Sequence, residues 1–501
     1  MTVNWKGFKS GTDIRGYGCV NTDDPLYLSN DTVIRMTKGF AAWLRNKTGC
    51  ENLTVSVGHD SRVSSERIDA AVTAALLEEG IHVKSCGMAS TPAMFMTTVM
   101  LSCDGAVQIT ASHHPMDKNG LKFFTKDGGL EGTDIAAILS LAEQNAFTIP
   151  NTYGSLEKVD FMKDYAAMLR GQIIDGVGTG DKPLAGYKIA VDAGNGVGGF
   201  YASDVLEPLG ADVSGSRFLE PDGTFPNHAA NPEDKTAMRM ASEAAVESRS
   251  DLGVVFDTDV DRAGCVDANG TEINRNRLVA LASVIALENA PGGTIVTDSV
   301  TSDGLHDFIV SHGGKHLRFK RGYKNVIDKM IELNAASETC PLAMETSGHA
   351  AFRDNYNLDD GAYLMTQIII RMARMGKEKL FEMLDSLAVP LEEQEVRFRI
   401  LESDFRKTGE QFIRDWTEYA SCASGYTAAE DNYEGIRFST NKDAGDGWIL
   451  ARLSVHDPVI VINAESNASG GVRKMLGMLY DFSKKRESLD ISKLTAYMEN
   501  I

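Results

Sequence analysis

One order of elements returns three times along the 501 residues, and it narrows the possible folds more than composition does. Residues 53–57, LTVSV, form an apolar strand that runs into the polar loop Gly58-His59-Asp60-Ser61-Arg62. Residues 64–79 follow, with Ile68, Ala71, Val72, Ala75 and Leu76 at helical spacing, and a second helix is predicted behind Thr91-Pro92. A strand at 105–109 then ends the unit in a polar loop. The order returns from the strand 187–191, through the Gly-rich DAGNGVGG, to the strand 252–256 and Asp257. It returns again from 294–297 to 341–344 and Glu345. Strands alternating with helices predict α/β units with mostly parallel pairing. Ligands of such sheets gather beyond the carboxyl ends of the strands, where all three polar loops fall. The expected fold class is α/β, with three related α/β domains with mixed sheets around one cleft. Beyond Pro390 the pattern changes to strands near 395–400 and 448–451 and helices near 405–419 and 472–484, a small C-terminal α+β domain. Boundaries are expected at 1–160, 161–273, 274–389 and 390–501. Asp359-Asp360-Gly361 opens what reads as one long apolar helix, 362 to about 387.

The first loop, ITASHHPMDKNGLK at 109–122, carries a serine behind a buried strand. Pro115 fixes its own φ, disfavours helix at His114 and donates no backbone hydrogen bond. Asn119-Gly120 is a turn signal. Ser112 is therefore expected on a constrained loop, with the imidazoles of His113 and His114 and the ammonium of Lys122 close by. That setting suits a nucleophile or a phosphate carrier; a polar loop without chemistry would read the same way. The second loop, DTDVDR at 257–262, places Asp257, Asp259 and Asp261 at alternate positions, a set that can converge on one hard cation such as Mg²⁺. An EF-hand does not fit, because its sixth position is Arg262 and its twelfth Ala268. An exposed acidic turn is the plain alternative, against which stands the apolar strand feeding the cluster.

Shorter motifs add to this. In GTDIRG, 11–16, two glycines permit a tight backbone around Arg15, a bidentate phosphate donor. FKRGYK at 319–324 is a cationic run that could equally be a solvated face. In ETSGH, 345–349, a carboxylate and a hydroxyl two residues apart can bond adjacent sugar hydroxyls. The glycines of DAGNGVGG lack the spacing of a dinucleotide site.

In their order along nearly the whole chain, these motifs resemble those of the α-D-phosphohexomutase superfamily, the phosphoglucomutase/phosphomannomutase group. TASHHP is similar to its active-serine signature, with His114 where the family usually has Asn, and GTDIRG to its N-terminal motif. DTDVDR is similar to its metal loop, usually DGDGDR, with Thr258 and Val260 in place of its glycines, a replacement that leaves the ligands intact and stiffens the backbone. METSGH resembles its GExSGH sugar loop, with Met344 for the first glycine. RLSVHDP, 452–458, resembles its RxSxTEP phosphate loop, with His456 for Thr and Asp457 for Glu.

The resemblance implies a mutase interconverting hexose 1-phosphate and hexose 6-phosphate, of glucose and/or mannose, through a phosphoserine at Ser112 and a sugar bisphosphate that also serves as activator. It implies one Mg²⁺ per active site on Ser112, Asp257, Asp259 and Asp261. Arg15, Lys122 and His349 would join Ser112 as catalytic residues, and Arg262 would contact phosphate. Lys320, Glu345 and Ser347 would hold the sugar, and Arg452, Ser454 and His456 the phosphate that is not reacting. Phosphoglucosamine mutase is the alternative closest to this reading. A phosphatase with Asp257 as nucleophile and a non-catalytic sugar-phosphate sensor are further ones.

A net charge of −20 and a pI of about 5.0 argue against nucleic-acid and membrane-surface partners. The sequence shows no apolar run of about 18 residues and no apolar leader segment at its start. Seven scattered cysteines without a CxxC pair favour neither disulfides nor zinc. A cytoplasmic enzyme, monomer or homodimer, is the expectation.

Overall fold

The computed structural model describes residues 3–19, 22–147, 152–377, 379–454 and 457–499. The chain divides into two compact units, residues 1–285 with 347–383, and residues 286–346 with 384–501.

The first unit holds two mixed sheets. One runs in the order Lys9–Ser10, Asp13–Tyr17, Lys118–Thr125, Gly105–Ile109, Thr54–His59, His82–Met88, Leu156–Lys158. Pairing is parallel from Gly105–Ile109 onward and antiparallel before it. The expectation of mostly parallel pairing therefore applies only to part of the sheet. Strand periodicity sets the layers. Val55 and Val57 enter one core with the helices Asn30–Thr48, Ser65–Glu78 and Gly132–Gln144. The intervening Ser56 and Gly58 face the helix Thr91–Met100: Ser56 bonds Thr97, and a Cβ at Gly58 would lie 2.5 Å from Met94 Sδ. Burial on both faces explains why these strands read as continuous apolar runs. The second sheet pairs Ile189–Asp192 parallel to Leu252–Phe256, then adds Ala263–Asp267 and Glu272–Ile273 antiparallel. The helix Lys235–Ser248 covers it through Met238, Ala241 and Ala245 against Val255 and Val266.

Three local expectations differ from the structure. Asn119-Gly120 is not a turn but lies inside the strand Lys118–Thr125, where Gly120 lets the strand Asp13–Tyr17 pass so closely that a Cβ would sit 2.2 Å from Ile14 O. Arg15 likewise lies in a strand, opposite Gly120, rather than on a tight loop. The helix opened by Asp360 ends at Met375, where Gly376 takes φ 101°, so the apolar stretch to 387 is not one helix. The helix Asn30–Thr48 has its own punctuation: Ser29 accepts from the amide of Thr32, and Gly49 closes it at φ 68°.

In the second unit Lys315–Phe319, Thr294–Asp298 and Leu342–Met344 run parallel, with helices Asp303–Ser311 and Tyr323–Ala335. The C-terminal part is an antiparallel sheet in the order Tyr426–Ala428, Ile436–Thr440, Gly447–Leu453, Val459–Ser466, Glu392–Ile400, Leu489–Asp490. The helices Phe405–Ser421 and Gly471–Ser483 close its core, which centres on Phe398, Phe412, Trp416 and Phe438. The chain is thus three α/β domains followed by an α+β domain. Among the described residues no helix is long and apolar enough to cross a membrane.

Candidate active site

Ser112 follows the fully buried strand Gly105–Ile109 and takes φ 50°, a left-handed conformation that a residue with a Cβ adopts at a cost of about 1–2 kcal/mol. Two devices hold it there. The Thr110 hydroxyl accepts the Ser112 amide at 2.9 Å. The buried guanidinium of Arg62 donates to the carbonyls of Ser112, His114, Pro115 and Lys118, binding the whole loop to one side chain. Asp60 in turn orients Arg62, accepting from its Nε at 3.1 Å and its amide at 3.0 Å. Sequence reasoning passed over Arg62, although GHDSR behind an apolar strand stands in the same position as the other polar loops.

The second loop meets Ser112 directly. Ser112 Oγ donates to Asp257 Oδ2 at 3.1 Å, and its other neighbour is His113 Nδ1 at 3.4 Å. Burial, then Arg262 and His114, pushes His113 down to about 2, so its imidazole is neutral at physiological pH. One carboxylate oxygen from each of Asp257, Asp259 and Asp261 falls within 4.8 Å of the others. Burial, then the like charges of Asp261 and Asp259, raises Asp257 well above the usual carboxylate range. Lys122 Nζ reaches Asp259 at 3.3 Å and also bonds Asp261. Burial works against the ammonium charge, but these two carboxylates outweigh it and hold the lysine protonated.

The donor set fits a hard divalent cation. It is all oxygen, it converges, and Asp259 Oδ1 and Asp261 Oδ1 are buried without a hydrogen-bond partner.

The loop's shape is imposed from three sides. Thr91, opening its helix, donates its amide to the Asp259 carbonyl at 2.8 Å and its hydroxyl to the Asp259 carboxylate. The Gly-rich loop packs beneath: Val197 donates its amide to Thr258 O at 2.9 Å, and a Cβ at Gly196 would lie 2.6 Å from the same oxygen. The start of the helix Gly361–Met375 packs beside it, Gly361 N bonding Val260 O at 3.0 Å, with room for no Cβ at 361 because Arg262 O would be 2.7 Å away. Val260 itself sits at φ 66°, so a buried β-branched residue is held left-handed where a glycine would be unstrained.

Arg15 bonds Thr110 O and pairs with Asp13 at 2.7 Å, on the strand beside the serine loop. His349 places Nδ1 at 3.0 Å from Ser347 Oγ and Nε2 at 3.2 Å from Arg262 Nε. A neutral ring protonated at Nδ1 satisfies both contacts, donating to the serine and accepting from the arginine. Burial and Arg262 favour that neutral form, but Asp261, 3.6 Å from Nε2, and then Asp359 outweigh them and raise His349 to about 10, toward the charged ring. Arg262 Nη1 also reaches Glu233 at 3.4 Å. The first unit thus brings together Ser112, Lys122, the three aspartates, Arg262, Ser347 and His349.

The second unit carries the remaining candidates. Glu345 is buried and accepts the amide of Gly322 at 2.7 Å, just after Lys320, which is exposed. Arg452 is buried, with Nη1 3.5 Å from Glu434. The Ser454 hydroxyl accepts the amide of Asp457 at 3.3 Å. His456 lies outside the described residues. Sequence reasoning missed Asp298, fully buried at the end of its strand, which accepts from the Thr346 hydroxyl at 2.9 Å.

Burial raises Asp298 to about 7, with Arg321 opposing and Glu345 reinforcing the shift. A native carboxyl pKa above the unfolded value means that the folded state binds the proton more tightly. Its contribution to stability is therefore lost as pH rises from about 4 to about 7. Asp298→Asn is expected to gain stability relative to wild type across that window, by a few kcal/mol at most. Urea unfolding of both proteins near pH 5 and near pH 8 checks this; a difference unchanged by pH contradicts it.

A strained serine hydroxyl against a carboxylate triad, with a protonated lysine and several arginines around it, is the equipment of phosphoryl transfer, where positioning and charge neutralisation do most of the catalysis. The comparisons with known proteins agree. The phosphoglucomutase/phosphomannomutase α/β/α domains I, II and III match residues 10–148, 164–270 and 274–390. The phosphoglucomutase/phosphomannomutase of Thermococcus kodakarensis is 31% identical over 437 residues, 86% of this chain and 90% of that one. The phosphomannomutase/phosphoglucomutase of Pseudomonas aeruginosa is 30% identical over 441 residues, 86% and 89%. A crystal structure of a phosphoglucomutase/phosphomannomutase family protein from Burkholderia thailandensis superposes with a TM-score of 0.81 at 25% identity, covering 97% of this chain and 99% of that one. The chain belongs to the phosphoglucomutase/phosphomannomutase family, and with it to the intramolecular phosphotransferases.

Proposed function

We propose that the protein interconverts hexose 1-phosphate and hexose 6-phosphate, of glucose and/or mannose, by passing a phosphoryl group through Ser112. The observation that carries this reading is Ser112 Oγ, displayed on a strained backbone 3.1 Å from the first aspartate of a buried triad. In the resting enzyme Ser112 bears the phosphoryl group and gives it to the free hydroxyl of a bound sugar phosphate. The bisphosphate formed then presents its other phosphate to Ser112, which takes that group back.

Asp257, Asp259 and Asp261, together with Ser112, would hold Mg²⁺, which neutralises phosphoryl charge when bound. Lys122, held protonated, serves as a proton donor to the leaving oxygen rather than as a base at neutral pH. His349, its ring fixed by Ser347 and Arg262, is the second candidate for general acid/base work. Arg15 and Arg262 meet the reacting phosphate. Lys320, Glu345 and Ser347 contact the sugar, and Arg452, Ser454 and His456 the distal phosphate. A trace of sugar bisphosphate would restore the phosphoserine whenever it is lost.

The relatives do not favour a phosphatase or sensor reading. The test supplies glucose 1-phosphate, Mg²⁺ and a trace of glucose 1,6-bisphosphate, and follows glucose 6-phosphate with a coupled dehydrogenase. Turnover is expected, with a fall of at least about a hundredfold after EDTA treatment and recovery on adding Mg²⁺. Peptide mass mapping is expected to find phosphate on Ser112. Full activity in EDTA overturns the metal assignment, and binding without turnover would move the protein to the sensor class.

A further inference from the structure

We propose that Glu434 is a positioning residue for Arg452, holding the guanidinium in place for the substrate's distal phosphate and tying it to the loop that carries Lys320. The inference rests on the reading of Arg452 as a phosphate ligand.

Its ground is a division of labour between the two oxygens of one carboxylate. Oε2 accepts the Ser299 hydroxyl at 2.7 Å and the Arg321 amide at 3.0 Å. Oε1 faces Arg452 Nη1 at 3.5 Å. The next amide along the loop, that of Gly322, goes to Glu345 at 2.7 Å. Two consecutive amides are thus clamped by two carboxylates, one belonging to the sugar candidate and the other to the arginine's neighbour.

The backbone is built to put Glu434 there. Gly435 follows at φ 62°, and a Cβ on it would lie 2.1 Å from Ala451 O. Only glycine permits so close a crossing over the strand Gly447–Leu453, and that crossing brings residue 434 alongside residue 452.

The contact is long for a hydrogen bond, so Glu434 orients Arg452 without using up its donors. Arg452 Nε is buried and has no partner, a donor left over for an incoming acceptor. Glu434 is the leading carboxylate opposing the effect of burial on that guanidinium. An arginine has many rotamers, and a fork-shaped grip on phosphate depends on having one of them preset.

The experiment compares wild type, Glu434→Gln, Arg452→Ala and the double variant, with glucose 1-phosphate as the probe. Gln keeps an oxygen for Ser299 and the Arg321 amide but removes the charge that orients Arg452. Glu434→Gln is expected to raise KM about tenfold while kcat changes less than about threefold, the pattern of lost ground-state binding. In the Arg452→Ala background the same substitution is expected to do nothing more. Glu434→Asp, which keeps the charge, should recover part of the loss.

An unchanged KM in Glu434→Gln overturns the proposal. So does an equal effect with and without Arg452, which would mean that Glu434 acts only through the loop. If Arg452→Ala itself leaves KM unaltered, the distal-phosphate reading fails together with this inference, and that result is separate from the first two.

Discussion

Replacing Ser112 by alanine is expected to lower the mutase rate at least about a thousandfold, on the order of 4 kcal/mol in the barrier, while the protein stays folded. The two halves of this prediction have different causes. The hydroxyl is the only group at that position able to carry a phosphoryl group, so removing it leaves no acceptor. The conformation of the loop does not depend on it. The left-handed backbone at 112 is held by Thr110 through the residue's amide and by Arg62 through its carbonyl, and both contacts survive in alanine. What is lost is the bond to Asp257, a net contribution of about 1 kcal/mol. Urea unfolding should therefore show a small shift, and the coupled glucose 1-phosphate assay almost no turnover. Turnover close to wild type would remove Ser112 from the chemistry and leave Asp257 as the residue to examine for a phosphoryl group.

The chemistry was easier to read from the chain than its supports were. An apolar run that buries a strand and then breaks into Ser112-His113-His114-Pro115, or into Asp257-Thr258-Asp259, announces itself locally, because the strand and its loop are contiguous. The supports act across long sequence separations through groups that every residue has. Arg62 binds carbonyls about 50 positions away, and a carbonyl leaves no mark on residue identity. Gly196 and Gly361 are needed because Thr258 O and Arg262 O pass within a Cβ's reach of them, a fact that exists only once the chain has folded. Asn119-Gly120 misled because turn propensity is local, whereas the ladder from Asp13–Tyr17 to Gly105–Ile109 is not. The end of the helix at Met375 was misread as lying near 387, although Arg374 in the last turn followed by Gly376 is an ordinary stop signal. Lys122 could be named from its nearness to the serine motif, but its two carboxylate partners stand 137 and 139 residues further on.

Arg62 carries the second large prediction. Its guanidinium donates to four carbonyls of the serine loop, and Asp60 fixes it from below. Phe225 lies over it at 5.2 Å. Arg62→Ala leaves Asp60 a fully buried carboxylate without its cation and the Ser112 carbonyl a buried acceptor without a donor. Each such group costs about 1–3 kcal/mol, more when charged, so a loss of roughly 3–5 kcal/mol is expected. The carbonyls of His114 and Pro115 belong to exposed residues and can turn to water, which keeps the loss from being larger.

Arg62→Lys separates stability from positioning. The ammonium keeps the charge beside Asp60, so most of the stability should remain. A lysine has three donors on one nitrogen and cannot span four acceptors distributed from residue 112 to residue 118. The loop is then free to leave the left-handed conformation at Ser112, which relaxes a strain of about 1–2 kcal/mol and moves the hydroxyl away from Asp257. The lysine variant is therefore expected to unfold near the wild-type urea concentration yet lose about a hundredfold or more in kcat, since misplacement by about an ångström is enough for that. A lysine variant as active as wild type would mean that the loop holds Ser112 in place without Arg62, and the strain at 112 would then have to be maintained by Thr110 and Pro115 alone.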